Sequence, residues 1–89
     1  MKNNKINLNT DAITLNANET SVLKLDQKNK VAKLNVNENS IQIDKEINIE
    51  CGQSNILLSK DKIILKAGNS SIEISSQGVK VKSMKIDLG

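Results

Sequence analysis

The sequence predicts an all-β chain built as a stack of very short strands. Three observations carry that expectation. Apolar residues come in pairs one position apart, and such an apolar–polar–apolar triplet marks a strand with one buried face. The pairs recur from one end of the chain to the other: ten steps separate Ile6 from Ile86, a mean of eight residues each. Turn-forming residues fill the gaps between pairs. A repeat that short holds one short strand and one turn, which is the signature of a solenoid-like stack.

In chain order the pairs are Ile6/Leu8, Ile13/Leu15, Leu23/Leu25, Leu34/Val36, Ile41/Ile43, Ile47/Ile49, Ile56/Leu58, Ile63/Leu65, Ile72/Ile74, Val79/Val81 and Ile86/Leu88, eleven in all. They predict eleven strands in a single domain, residues 1–89. Residues 1–40 are less regular than 41–89. The steps around Leu23 and Leu34 are longer, and Gln27-Lys28-Asn29-Lys30 predicts a longer turn or bulge there, with Val31 as a candidate start for an extra strand. Further on, Cys51-Gly52-Gln53-Ser54-Asn55-Ile56-Leu57-Leu58-Ser59 lines up with Ala67-Gly68-Asn69-Ser70-Ser71-Ile72-Glu73-Ile74-Ser75, a repeat of sixteen residues, or two octads. Gly52, Gly68 and Gly78 take φ > 0 without steric cost, and Asn18, Asn37, Asn39, Asn55 and Asn69 are expected to share that task. Asp26-Gln27, Asp44-Lys45 and Asp61-Lys62 mark the opposite corner. Helix is disfavoured, because period two dominates and β-branched residues crowd the apolar positions.

Composition limits how such a chain buries a core. Among 89 residues there is no Phe, Tyr, Trp, Pro or His, and one Cys. Aromatic side chains usually dominate burial in small cores. Here only Ile, Leu and Val are available, two per strand, against an ordering entropy of about 1–2 kcal/mol per residue. A small single domain is already marginal in burial. Either the chain closes a narrow solenoid on itself or several chains share one core, and the second is the expectation.

The net charge of +3 comes from interspersed Lys, with no Arg. Nucleic-acid binders show basic clusters, Arg forks and stacking aromatics, so no nucleic acid is expected as a partner. A lone Cys forms no intrachain disulfide. No continuous apolar stretch suits a signal peptide or membrane span, and a membrane β-barrel needs longer strands and aromatic girdles. Asn18-Glu19-Thr20 and Asn69-Ser70-Ser71 match the glycosylation triplet, as an Asn- and Ser-rich chain does by chance.

From Ile41 to Leu88 the chain resembles the C-terminal β-helix needle of VgrG, the valine–glycine repeat spike protein of type VI secretion, an architecture shared with the phage tail needle. The resemblance lies in Gly68-Asn69-Ser70-Ser71-Ile72, Gly78-Val79-Lys80-Val81 and Ile86-Asp87-Leu88. It implies an intertwined homotrimeric β-helix prism, three parallel chains about one axis, each octad giving a strand to successive faces. It further implies a structural spike of a contractile injection system that punctures a target membrane mechanically. Such a spike is held in the bacterial cytoplasm before firing and delivered through the sheath. The larger domains that precede the needle in the family have no counterpart here. A stack of eleven layers at about 4.8 Å spacing gives a rod roughly 50 Å long.

The parity of the pairs assigns Ile56, Leu58, Ile63, Leu65, Ile72, Ile74, Val79 and Val81 to the axial core, with Leu57 and Ile64 as outward exceptions. Cys51 keeps the inward parity and is read as a small buried hydrophobe, since no His or second Cys completes a metal ligand set. Asp26, Asp44, Asp61 and Asp87 lack a calcium-loop spacing and are read as turn residues. Without His there is no catalytic triad, and a narrow stack has no evident pocket to perturb a carboxylate. No enzyme activity, metal or cofactor is expected. Met84, Ile86 and Leu88 share one parity before Gly89 and predict a flat apolar platform. In VgrG-like spikes such an end seats a PAAR-type tip protein. A second function class is a filament-forming β-solenoid scaffold that polymerises end to end through exposed strand edges. A solenoid acyltransferase is disfavoured by the absence of His, and an ice-binding face by the presence of only Thr10, Thr14 and Thr20.

Overall fold

A computed structural model describes residues 4–18 and 20–87. The described chain is all-β and without helix. Its ten strands are β1 (Lys5–Leu8), β2 (Ala12–Ala17), β3 (Ser21–Asp26), β4 (Val31–Val36), β5 (Asn39–Ile43), β6 (Ile47–Cys51), β7 (Ser54–Leu58), β8 (Lys62–Ala67), β9 (Ser70–Ser75) and β10 (Gly78–Lys82). They form one sheet in sequence order, and every neighbouring pair is antiparallel. The molecule is a slab of 51 × 29 × 16 Å. Nine inter-strand steps of about 4.8 Å account for most of the long dimension.

Turn length explains why the sheet is a meander. Two to four residues join successive strands, and within one sheet a connection that short returns the chain antiparallel beside the strand it left. Consecutive octads are therefore hydrogen-bonded neighbours within one chain, rather than strands dealt to successive faces. The sixteen-residue repeat is one hairpin, two strands with a turn of each kind.

The two kinds of turn lie on opposite flanks of the sheet. On one flank a strand-end side chain closes each turn. Asn9 Oδ1 accepts from the N–H groups of Asp11 (2.9 Å) and Ala12 (2.8 Å). Asp26 accepts from the Asn29 N–H (3.0 Å) and from Asn29 Nδ2 (3.0 Å). Asp44 accepts from the Glu46 N–H (2.9 Å) and Gln42 Nε2 (3.0 Å). Ser59 Oγ donates to the Lys62 carbonyl (3.2 Å), and Ser75 Oγ accepts from the Gln77 N–H (3.2 Å). On the other flank each turn begins with a left-handed residue: Asn18 (φ 51°), Asn37 (φ 54°), Gly52 (φ 59°) and Gly68 (φ 59°). A Cβ at Gly52 or Gly68 would meet no atom within 4 Å, so these glycines serve backbone conformation alone. Successive turns on a flank also bond to one another: the Asn37 N–H reaches the Thr20 carbonyl at 3.0 Å, and the Gly68 N–H the Gln53 carbonyl at 3.1 Å.

Several expectations change in detail. The longer turn at Gln27–Lys30 is present, with Lys30 at φ 58°. Val31 starts β4 itself, not an extra strand. Asn39 and Asn55 lie in β5 and β7, and Asn55 Nδ2 donates to Asn48 Oδ1 at 3.3 Å. Ten strands replace eleven among the described residues, because the chain bends after Lys82. Ser83 Oγ donates to the Lys85 carbonyl (2.7 Å) and accepts from the Lys85 N–H (3.1 Å). That local turn takes hydrogen bonds a further ladder would need. Ile86 follows it outside any strand, while Leu88 and Gly89 lie outside the described residues.

The turn carboxylates make the fold acid-sensitive. Hydrogen bonds from the Asn29 side chain and N–H, with a smaller contribution from Lys24, hold the Asp26 carboxyl below its ordinary value. The Glu46 N–H and the Gln42 side chain do the same for Asp44. A carboxyl lowered in the folded state contributes stability above its unfolded pKa of about 3.9, and loses it as pH falls through the lower folded value. Thermal midpoints should therefore fall on acidification below about pH 4. The Asp26→Asn/Asp44→Asn double variant should be less stable near neutrality and lose less on acidification. An equal acid loss in both proteins would remove these turns as the cause.

Candidate functional site: an uncovered apolar face

Strand parity and ladder register together place nearly every apolar pair on one face. Two ridges run the length of the sheet. The first is Ile6, Leu15, Leu23, Leu34, Ile41, Ile49, Ile56, Leu65, Ile72 and Val81, each directly opposite the next. The second is Leu8, Ile13, Leu25, Ala32, Ile43, Ile47, Leu58, Ile63, Ile74 and Val79. Ala32 is the one small residue in twenty positions. All eight residues expected in the axial core stand on these ridges side by side.

Among the described residues no second layer covers this face, and only Ile86 reaches back along its C-terminal end. Among the described residues no side chain of either polarity is buried. In mid-sheet most ridge residues remain 37–46% exposed, as at Ile63 (37%), Ile72 (38%) and Ile43 (46%), while Leu23, Ile47, Ile49 and Leu58 are half-buried by their neighbours. The outer strands are barer still, with Ile6 at 71%, Leu8 at 72% and Val79 at 64%. Two residues per strand over ten strands make a continuous apolar footprint on the order of 600 Å². That is the upper end of what a monomeric soluble protein shows as its largest patch. Covering it removes apolar area worth about 25 cal/mol per Å², hence on the order of 15 kcal/mol per chain.

The opposite face is polar, with four apolar exceptions larger than Ala. Leu57 and Ile64 are direct cross-strand partners there and are half-buried, as their parity required. Val22 is the third, between Asn16 and Asn35, and Val31, opposite Asp26, is the fourth. Elsewhere the face presents Thr14, Lys24, Lys33, Gln42 and Asn48 in one row. The two faces therefore differ in chemistry along the whole stack.

The remaining candidates fall into ordinary places. Cys51 ends β6 with the ridge parity opposite Ser54, but it is exposed and not buried as expected, because no second layer lies over the apolar face. No group of three or more His, Cys, Asp or Glu among the described residues could hold a metal ion. Asp26 and Asp44 close turns, as expected of strand-end carboxylates. Asp61 does not close its own turn, where Ser59 bonds instead. Asp87 lies 3.9 Å from Lys85, fully in solvent contact. The role of Asn9, Ser59 and Ser75 was readable only as an Asx or Ser at the end of every second strand. Of the expected terminal platform, Met84 is 95% exposed beyond the Ser83 bend. Ile86 instead turns back along the apolar face, where it lines a groove of about 480 Å³ with Ile56, Leu65, Ile72 and Val81. Met84 and Ile86 do not share a strand.

A parity-reversing pair of substitutions tests the face. Ile72→Asp puts a carboxylate in mid-ridge and, where copies meet on that face, like charges near one another at low dielectric; assembly should be lost. Glu73→Lys changes the polar face, where it gives up an exposed 3.9 Å contact with Lys62 and should cost at most about 1 kcal/mol. Native mass and thermal midpoint of the two variants are the readouts, and similar behaviour would refute the assigned faces.

No family model, no curated protein and no solved structure matches this chain.

Proposed function

We propose that three copies of this chain close their apolar faces around one axis to form a homotrimeric β-prism, and that this prism is the rigid needle of a contractile injection system of the VgrG type. The observation that carries it is the pair of apolar ridges, unbroken but for Ala32 and uncovered along their length. A flat sheet with one apolar face has to pack that face on something. Three identical faces satisfy one another around an axis with no further element. The meander gives each copy a whole side of the prism, and right-handed strand twist winds the three sides about the axis. In the fully intertwined form that the resemblance implies, each side would be built from all three chains; the ridge-inward parity is common to both.

The function is mechanical. Strands lie across the axis and their hydrogen bonds along it, so axial force compresses stacked ladders. Turn-to-turn hydrogen bonds on the flanks tie the layers further. No catalytic group is needed. The C-terminal end would receive a PAAR-type tip protein, with Met84, Ile86 and the final residues as the apolar part of its seat.

One observation favours a second reading, the end-to-end filament. The strand number is even, so β10 of one copy set beside β1 of the next continues the antiparallel alternation and both ridges. The outer edges of β1 and β10 have no partner strand. Imaging of the isolated chain separates the two. The needle reading expects uniform rods about 50 Å long at every concentration; filaments that lengthen with concentration would overturn it. A binding assay with the cognate tip, comparing the intact chain with one cut after Lys82, should show binding by the intact chain alone. Equal binding by both would remove the terminal residues from the seat.

A further inference from the structure

Charge is unevenly shared along the stack. Through residue 53 the chain carries seven Lys against seven acidic side chains, whereas residues 54–85 carry six Lys against Asp61 and Glu73 alone. The excess is also placed on one surface. Lys62 and Lys66 on β8 and Lys80 and Lys82 on β10 share the polar face by strand parity, and β9 between them presents Ser71, Glu73 and Ser75. Lys62 lies 3.9 Å from Glu73 and Lys85 3.9 Å from Asp87, but Lys60, Lys66, Lys80 and Lys82 have no ion-pair partner among the described residues. The polar face is the one left in solvent when the apolar face is covered.

We propose that the polar face of β8–β10 is a contact surface for the anionic headgroups of a phospholipid membrane. A membrane surface is a diffuse sheet of negative potential that asks for several lysines within a Debye length and for no particular geometry. That is what this face offers. A nucleic acid is read by Arg forks, stacked aromatics and a groove that tracks its backbone, and this chain has neither Arg nor any aromatic residue. Lysines on an edge strand also deter edge-to-edge pairing. That role accounts for Lys80 and Lys82 on β10 but not for Lys62 and Lys66, which lie on an interior strand. The proposal uses the needle reading in one respect: a trimer would carry the cluster three times around one end of the rod. The cluster itself belongs to a single chain.

The test is co-sedimentation of the full chain with vesicles of phosphatidylcholine and phosphatidylserine in equal parts, against vesicles of phosphatidylcholine alone, at about 0.1 M salt, where the Debye length is about 10 Å. Binding should require phosphatidylserine and fade as salt is raised. Each lysine near such a surface is worth roughly a five-fold change in affinity, so Lys80→Ser/Lys82→Ser should weaken binding by at least about thirty-fold. Lys24→Ser/Lys33→Ser, on the same face of the charge-balanced half, should change it less than about two-fold. Equal binding to both vesicle types, equal loss in both double variants, or tighter binding to duplex DNA at the same salt would overturn the proposal. Native mass and far-ultraviolet spectra taken on the same samples separate the two readings. A chain that binds as a monomer keeps the lysine surface and removes only its threefold repetition. A trimer that ignores phosphatidylserine removes the lysine surface and leaves the prism standing.

Discussion

A sheet with one apolar face and nothing over it is the constraint on which everything else in this molecule depends. Most domains meet that constraint by packing a second layer on the first. The described residues form no second layer, since their ten strands are used up in one sheet and no helix is present among them. Between β1 and β10 the strands pair with neighbours on both sides, but the apolar face has no such complement. Partial cover from cross-strand neighbours leaves Ile56, Leu65 and Ile72 more than a third exposed. Further copies of the same face are the simplest complement to it.

Keeping such a face continuous demands strict register, because a slip of one residue would turn a whole strand over. The turns enforce it. One flank uses side-chain acceptors and donors at strand ends, Asn9, Asp26, Asp44, Ser59 and Ser75, and the other uses left-handed Asn and Gly. Alternating turn chemistry on a two-strand period is what appears in the sequence as a sixteen-residue repeat. Even the long Gln27–Lys30 turn preserves parity, since Leu25 still meets Ala32 and Leu23 still meets Leu34. Irregular steps in the N-terminal half are therefore absorbed in loop length and not in ridge continuity.

The strands themselves were legible from period-two apolar pairs, and ten of the eleven pairs lie in strands where expected. The identity of the apolar face was legible for the same reason, with Leu57 and Ile64 on the opposite one. Strand connectivity was less so: an eight-residue step with turns of two to four residues fits a winding stack and a meander alike. The end of the stack was missed because an apolar pair at Ile86 and Leu88 looks like its predecessors. What differs is Ser83, whose hydroxyl bonds to Lys85 and bends the chain, and a Ser two residues before a Lys is too common to signal that. Asn55 was assigned to a turn on residue type, yet its side chain pairs across the polar face with Asn48. The charge imbalance between the two parts of the stack lies openly in the sequence, but it becomes a surface only when parity places the lysines together.

Light scattering of the purified chain over a wide concentration range tests the central claim most directly. The account predicts a mass of three chains, unchanged on dilution until the whole fold melts, because cover of the apolar face and folding of the sheet are one event. A folded monomer that persists across that range, with the apolar face open to water, would contradict it.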